Sequence, residues 1–296
     1  ATGNFASGAF ASAIDTPGVR SQVTVTFTTV GRILTGGKIR LVMSSGGQTV
    51  DASSPSVSFT SPSDVTGTST RVDESELLIT ISGSIGAGAA VVFTVGEVRS
   101  APYVQEAGTV VLETYASSGS SADDQIDGGS LATDVLNAGS LGVGTFASAV
   151  DTPSVSSLVT VSFTATGRIR SGSHIKLVLS GDQEMSNTPA VSLTQVGGVT
   201  AVDSRNSIDS ASWTSGSKTL LLVTGGSDPI DDSESVKLTI ADVYSASKVG
   251  SGSSIAVTVY DESGPSDRVV DTGSFVTDAI SKGSLAGGGT FSYGVA

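Results

Sequence analysis

Apolar residues recur at every second position in short runs along this chain. Val23, Val25 and Phe27 alternate with Thr24, Thr26 and Thr28, and Val159, Val161 and Phe163 repeat the arrangement. Alternation with period two marks a half-buried strand, with one face on a core and the other in water. Ile39, Leu41 and Met43 form the next such run, matched by Ile175, Leu177 and Leu179. The connections Gly31–Lys38 and Gly167–His174 carry glycines, which suggests hairpin loops. Val57 and Phe59 after Pro55 match Val191 and Leu193 after Pro189; Val91, Phe93 and Val95 match Val236, Leu238 and Ile240. No stretch carries a helical period. Short strands spaced by turn residues, about seven or eight per unit, predict antiparallel β-sandwiches that are immunoglobulin-like in the broad sense.

The same pattern is written twice. Residues 10–45 laid on 146–181 agree at 22 of 36 positions. Fixed-period self-similarity signals a tandem array. The copies differ in length between strands, chiefly in the stretch that includes Asp203–Trp213, and loops absorb such insertions cheaply. The sequence therefore predicts an all-β chain of two tandem sandwich repeats, 10–122 and 146–266. Residues 1–9 read as the tail of a preceding repeat and 291–296 as the start of a following one.

Between the repeats lie 123–145 and 267–290, read as connectors. Gly129-Ser130-Leu131, Gly139-Ser140-Leu141 and Gly144-Thr145-Phe146 recur as Gly273-Ser274-Phe275, Gly283-Ser284-Leu285 and Gly289-Thr290-Phe291. A flexible linker has no use for an apolar residue after each Gly-Ser pair. Phe5, Phe10, Leu131, Leu141, Phe146, Phe275, Leu285 and Phe291 are thus candidate interface anchors, docking the connector into neighbouring sandwiches. One more strand of the same sandwich is the alternative.

Composition changes the picture by exclusion. A formal charge of −13 and the lack of Lys/Arg clusters argue against nucleic acid. No apolar run approaches a membrane span, and the first residues read as part of a repeat rather than as a signal segment. With no cysteine there is no disulfide framework, thiolate site or cysteine nucleophile.

Comparing copies filters the candidate chemistry. The acidic loops Asp73–Glu76 and Asp231–Glu234 fall on opposite sides of matching strands, so they read as solvated turns. Asp15, Asp123, Asp127 and Asp134 do match Asp151, Asp267, Asp271 and Asp278. Calcium takes carboxylate and carbonyl oxygens, so Asp15, Asp123, Asp127, Asp151, Asp267 and Asp271 are candidate inter-unit calcium ligands, against ordinary turn aspartates. His174, the only histidine, answers to Lys38 and reads as surface polar, and no enzyme is expected. Trp213 lies in the inserted stretch and reads either as a sugar-stacking platform or as a loop cap. Arg32 and Arg168 match, and either brace a neighbour through a carboxylate or solubilise a loop. Thr16-Pro17, Thr152-Pro153 and Ser54-Pro55 suit O-glycosylation or plain turns; no N-glycosylation sequon is present.

Val23–Thr29 followed by Gly36-Gly37-Lys38-Ile39-Arg40-Leu41, with its second copy at Val159–Thr164 and Gly172–Leu177, resembles a repeat of long Ser/Thr/Gly-rich surface and secreted proteins. Such repeats occur in algae, related protists and some bacteria. The resemblance covers about thirty residues per unit and implies Ig-like units strung into stalks, filaments or adhesins at the cell surface or outside the cell. Where those repeats often run into Pro after the second strand, Ser44 and Ser180 stand here. The expected function is a structural module of a filament, partnered by copies of itself, without a cofactor unless calcium binds. The alternative is an adhesin or carbohydrate-binding module that contacts glycans around Trp213.

Overall fold

The computed structural model describes residues 3–5, 8–117, 124–198, 206–262 and 268–284. The first sandwich contains β1 (Gly3–Asn4), β2 (Gly8–Ser12), β3 (Arg20–Thr28), β4 (Lys38–Val42), β5 (Thr49–Val50), β6 (Val57–Ser61), β7 (Gly67–Asp73), β8 (Glu76–Ile81), β9 (Ala90–Arg99), β10 (Thr109–Tyr115) and β11 (Gln125–Thr133). The second contains β12 (Gly139–Ser140), β13 (Thr145–Ser148), β14 (Ser156–Thr164), β15 (His174–Leu179), β16 (Val191–Val196), β17 (Ser207–Thr214), β18 (Thr219–Gly225), β19 (Ser235–Tyr244), β20 (Ser254–Tyr260) and β21 (Val269–Val276).

Topology is the same in both. One layer of the first sandwich runs β6–β9–β3–β2, with β5 also on β9, and the other runs β11–β10–β4–β8–β7. The second repeats this as β16–β19–β14–β13 and β12–β21–β20–β15–β18–β17. The alternating residues behave as their pattern requires: Val23, Val25 and Phe27 are buried with Ile39, Leu41 and Phe93 in one core. Val159, Val161 and Phe163 join Ile175, Leu177 and Leu238 in the other.

Two expectations are corrected here. Gly31–Lys38 and Gly167–His174 are not hairpins: β3 pairs with β2 and β9, whereas β4 pairs with β10 and β8. Each connection crosses between layers because its middle isoleucine is apolar and closes the end of the core. Ile33 and Ile169 are buried and pair with Ile85 and Ile230.

The connector is the second correction. Residues 125–133 form β11, antiparallel to β10, and 139–148 contribute the opening strands of the second sandwich. Likewise Gly3-Asn4 pairs in parallel with Asp127-Gly128, and Ala9-Phe10 with Ala132-Thr133, so β1 and β2 belong to the first sandwich. Gly139-Ser140 on Asp271-Thr272 and Phe146 on Thr277 reproduce that register. First and last strands thus lie side by side, and the Gly-Ser-Leu motif serves their contact. A Cβ on Gly8 would sit 2.3 Å from Leu131, and one on Gly129 would sit 2.9 Å from Phe5. In the second copy Gly144 faces Phe275 at 2.2 Å and Gly273 faces Leu141 at 2.8 Å. Each glycine leaves room for the large residue of the opposite strand. Phe10 and Leu131 are core residues of the first sandwich, Leu141, Phe146 and Phe275 of the second, and Phe5 packs edge-on to Phe27 with centroids 5.1 Å apart. They anchor strands within one sandwich rather than between two. Leu285 and Phe291 lie outside the described residues.

Candidate inter-unit interface

The sandwiches meet end to end. On the β3–β9 ladder, Arg20 pairs with Arg99 at one end and Thr28 with Ala90 at the other. The Arg99 end, here the distal end, meets the end of the second sandwich that carries Gly167 and Asp231–Asp232, here the proximal end. The link 134–138 is short and fixed by main-chain bonds: Leu136 N donates to Gln105 O at 2.9 Å and Asn137 N to Asp15 O at 2.9 Å. Val104 N donates across the junction to Val269 O at 2.8 Å. Gly167 lets the Pro17 carbonyl approach to where a Cβ would be only 2.3 Å away.

Arg99 is the centre of this contact. Its side chain is 5% exposed. It donates to Asp51 Oδ2 at 2.8 Å and to the Gly18 carbonyl at 2.6 Å within its own sandwich. Across the junction it donates to Asp232 Oδ1 at 2.8 Å and pairs with Asp231 at 3.4 Å. Burial pulls its pKa down, but the bonds to Asp51 and Asp232 outweigh burial and raise it above the ordinary arginine value. Asp231–Glu234 is therefore more than a solvated turn. Arg168 pairs with Asp231 at 3.2 Å, within its own sandwich, so it braces the acidic loop that receives Arg99 rather than reaching a neighbour itself. Arg268 lies 4.8 Å from the centroid of the Tyr103 ring, a cation–π contact between the sandwiches. A cavity of ≈ 420 Å³ remains between the ends, lined by Arg99, Arg168, Arg170, Arg268, Asp51 and Tyr103 among others. Its arginines are matched by carboxylates, as Arg170 is by the buried Asp261 at 2.5 Å, so it does not carry the field of an anion site.

The matched aspartates are main-chain acceptors. Asp127 is fully buried and accepts from Val30 N and Gly31 N at 3.0 Å; Asp271 accepts from Thr166 N at 2.9 Å and Gly167 N at 3.0 Å. Burial raises the Asp271 pKa, and these two amides oppose the rise. Each carboxylate is buried against amide N–H groups whose positive ends oppose a cation, which argues against Asp127 and Asp271 as calcium ligands. Asp134 accepts from Ser12 N at 2.7 Å, and Asp278 from Ser148 N at 2.8 Å. Asp15 and Asp151 sit beside them; burial first and the neighbouring carboxylate second raise both pKa values. Among the described residues no group of three or more metal-ligating side chains occurs. Asp123 and Asp267 lie outside the described residues.

Trp213 is corrected as a glycan platform. It stands in β17 rather than a loop, is 4% exposed, packs in the second core, and donates from Nε1 to Glu184 at 3.2 Å. His174 opens β15, paired with Val223 and Tyr260. Arg99 was missed because its counterpart is Tyr244, and a comparison of copies discards unmatched positions. The available signal was an arginine closing a strand that alternates apolar residues, Val91, Phe93, Val95 and Val98, up to its end.

No protein-family model matches this sequence, and no curated protein is significantly similar to it. Solved structures similar to it include the C-terminal domain of the Streptococcus pyogenes antigen I/II-family protein AspA, at 8% identity over 92% of this chain and 98% of that one, with a TM-score of 0.31. The collagen adhesin of S. aureus is 10% identical over 94% and 96%, with a TM-score of 0.28. The Enterococcus faecalis MSCRAMM ACE gives 9% over 93% and 95%, with a TM-score of 0.29. Likeness at these TM-scores carries no argument about function. No described helix is long and apolar enough to cross a membrane.

Proposed function

We propose that this chain is a structural, non-enzymatic tandem-repeat module of an extracellular or cell-surface filament or stalk, assembling end to end with copies of itself through its strand ends and links. The observation that carries the reading is Arg99, buried between two sandwiches and hydrogen-bonded to both. A chain that only tethered two independent domains would have no use for a desolvated charge at their contact. Second support comes from the repetition of the link geometry. Ser281 N donates to Asp151 O at 2.8 Å as Asn137 N does to Asp15 O, and Ile280 pairs with Gly250 as Leu136 does with Gln105. The path out of the second sandwich therefore copies the path out of the first. Antiparallel sandwiches joined this way give a semi-rigid rod whose length scales with copy number. Small-angle scattering of the chain tests the reading: one elongated shape, unchanged by calcium or chelator, is expected. A broad mixture of bent and extended shapes would count against it.

A further inference from the structure

We propose that the distal end of the second sandwich docks onto the proximal end of the first sandwich of another copy of this chain, through an apolar version of the internal junction. This inference rests on the end-to-end reading above and names the surfaces that would carry it. The internal junction supplies the template, because hydrogen bonds align the copies residue by residue. Val19 N to Ser100 Oγ at 3.0 Å is matched by Val155 N to Ser245 Oγ at 3.1 Å, so Arg99 answers to Tyr244. Ala116 N to Asp124 O at 3.0 Å is matched by Asp261 N to Arg268 O at 2.8 Å, so Arg268 answers to Asp124. The pairs Ile33–Ile85 and Ile169–Ile230 place Gly86-Ala87 where Asp231-Asp232 stand, and Leu34 where Arg170 stands.

Transferring the template sets complementary groups opposite each other. Arg99 meets two aspartates inside the chain; Tyr244, 50% exposed, would meet Gly86 and Ala87. A Cβ on Gly86 would find nothing within 4 Å, so a ring has room to lie there. Tyr103 meets Arg268 inside the chain; Lys248 would meet Asp124, an opposite charge. Val104 donates to Val269 inside the chain; Val249, 53% exposed, would donate to Gln125. Leu34, 54% exposed, adds apolar area beside them. Large faces small and plus faces minus, and Tyr244 stands exposed where the occupied junction buries its equivalent, Arg99, at 4% exposure, with Val104 and Arg170 half-buried beside it.

One substitution sets the closeness of approach. Gly18 has φ 67°, and a Cβ there would stand 2.8 Å from the Arg168 main-chain nitrogen. Its counterpart is Ser154, which carries a Cβ at φ 58°. The intermolecular contact must therefore sit slightly further apart than the internal one, which makes it the weaker, reversible joint.

Sedimentation velocity on the 296-residue chain, with thermal melts confirming that each variant folds, decides the matter. Concentration-dependent association is expected, weakened about tenfold or more by Tyr244→Asp or Leu34→Asp and strengthened by Ser154→Gly. Lys248→Glu should weaken it and Asp124→Lys in the same chain should restore it. Association that survives Tyr244→Asp and Leu34→Asp overturns this pairing while leaving end-to-end assembly to another surface. A chain that stays monomeric at every concentration overturns it too, while the fixed internal joint measured by scattering stands or falls separately.

Discussion

Replacing Arg99 with Ala should release the two sandwiches from their fixed relative orientation without unfolding either. Four hydrogen-bond partners would lose their donor: Asp51, the Gly18 carbonyl, Asp232 and, more distantly, Asp231. A bond to a charged group contributes about 1.5–3 kcal/mol, and stripping one partner from a buried pair costs about 3–5 kcal/mol. The full sum is not expected. Asp51 and Asp231 are 32% and 44% exposed, so water takes over much of their solvation once the guanidinium is gone. Only Asp232, at 19% exposure, is well shielded on the far side. A loss of about 2–3 kcal/mol of docking free energy follows, enough to shift a closed joint to a substantially open one. The chain has no cysteine, so Ser58→Cys and Ser212→Cys, on exposed strand positions of the two sandwiches, can carry spin labels without side reactions. Pulsed dipolar spectroscopy should show a narrow distance distribution in the parent and a broad one in Arg99→Ala, with Asp232→Ala broadening it less. An unchanged distribution in Arg99→Ala would refute the reasoning, since the main-chain bonds and the Arg268–Tyr103 contact would then hold the joint without it.

Four further outcomes are expected. Gly273→Ala puts a methyl 2.8 Å from Leu141 Cβ, and such overpacking should lower the stability of the second sandwich by about 1–3 kcal/mol in urea titration. Trp213→Ala should cost about 3–5 kcal/mol by opening a cavity, seen in thermal unfolding, while leaving any glycan binding on an array unchanged. Asp151 has a raised folded-state pKa, so the folded chain holds that proton more tightly than the unfolded one. Its contribution favours the fold below the ordinary value of 3.8 and is lost as pH rises through the raised one, so Asp151→Asn should flatten that fall in a series of melts across the acid range. Calcium should leave the melting temperature where chelator leaves it, and a calcium-dependent rise would restore the aspartates as ligands.

What could be read from the sequence divides along a physical line. Strand faces were legible because period-two burial is local: Val23, Val25 and Phe27 announce their own side of the sheet. The Gly-Ser-Leu anchors were legible as apolar docking residues, but not in their partner, because a parallel pairing of first and last strands joins residues more than a hundred positions apart. The layer crossing at Gly31–Lys38 looks like a hairpin for the same reason: glycines show that the chain turns, not which strand it turns toward. The junction was hidden most deeply. Arg99, Asp51 and Asp232 come from three loops or strand ends and acquire meaning only when two sandwiches are set end to end. Copy comparison passes over Arg99 because only matched positions survive it. A repeat that joins different neighbours at its two ends needs different residues at equivalent positions.

Electron microscopy of the native material that contains this chain tests the central claim most directly. The account predicts a filament or stalk with a periodic subunit, each contributing roughly 30 Å of strand plus its end loops, from nine-residue strands such as β3. Isolated two-sandwich particles, with no continuous axis, would contradict it.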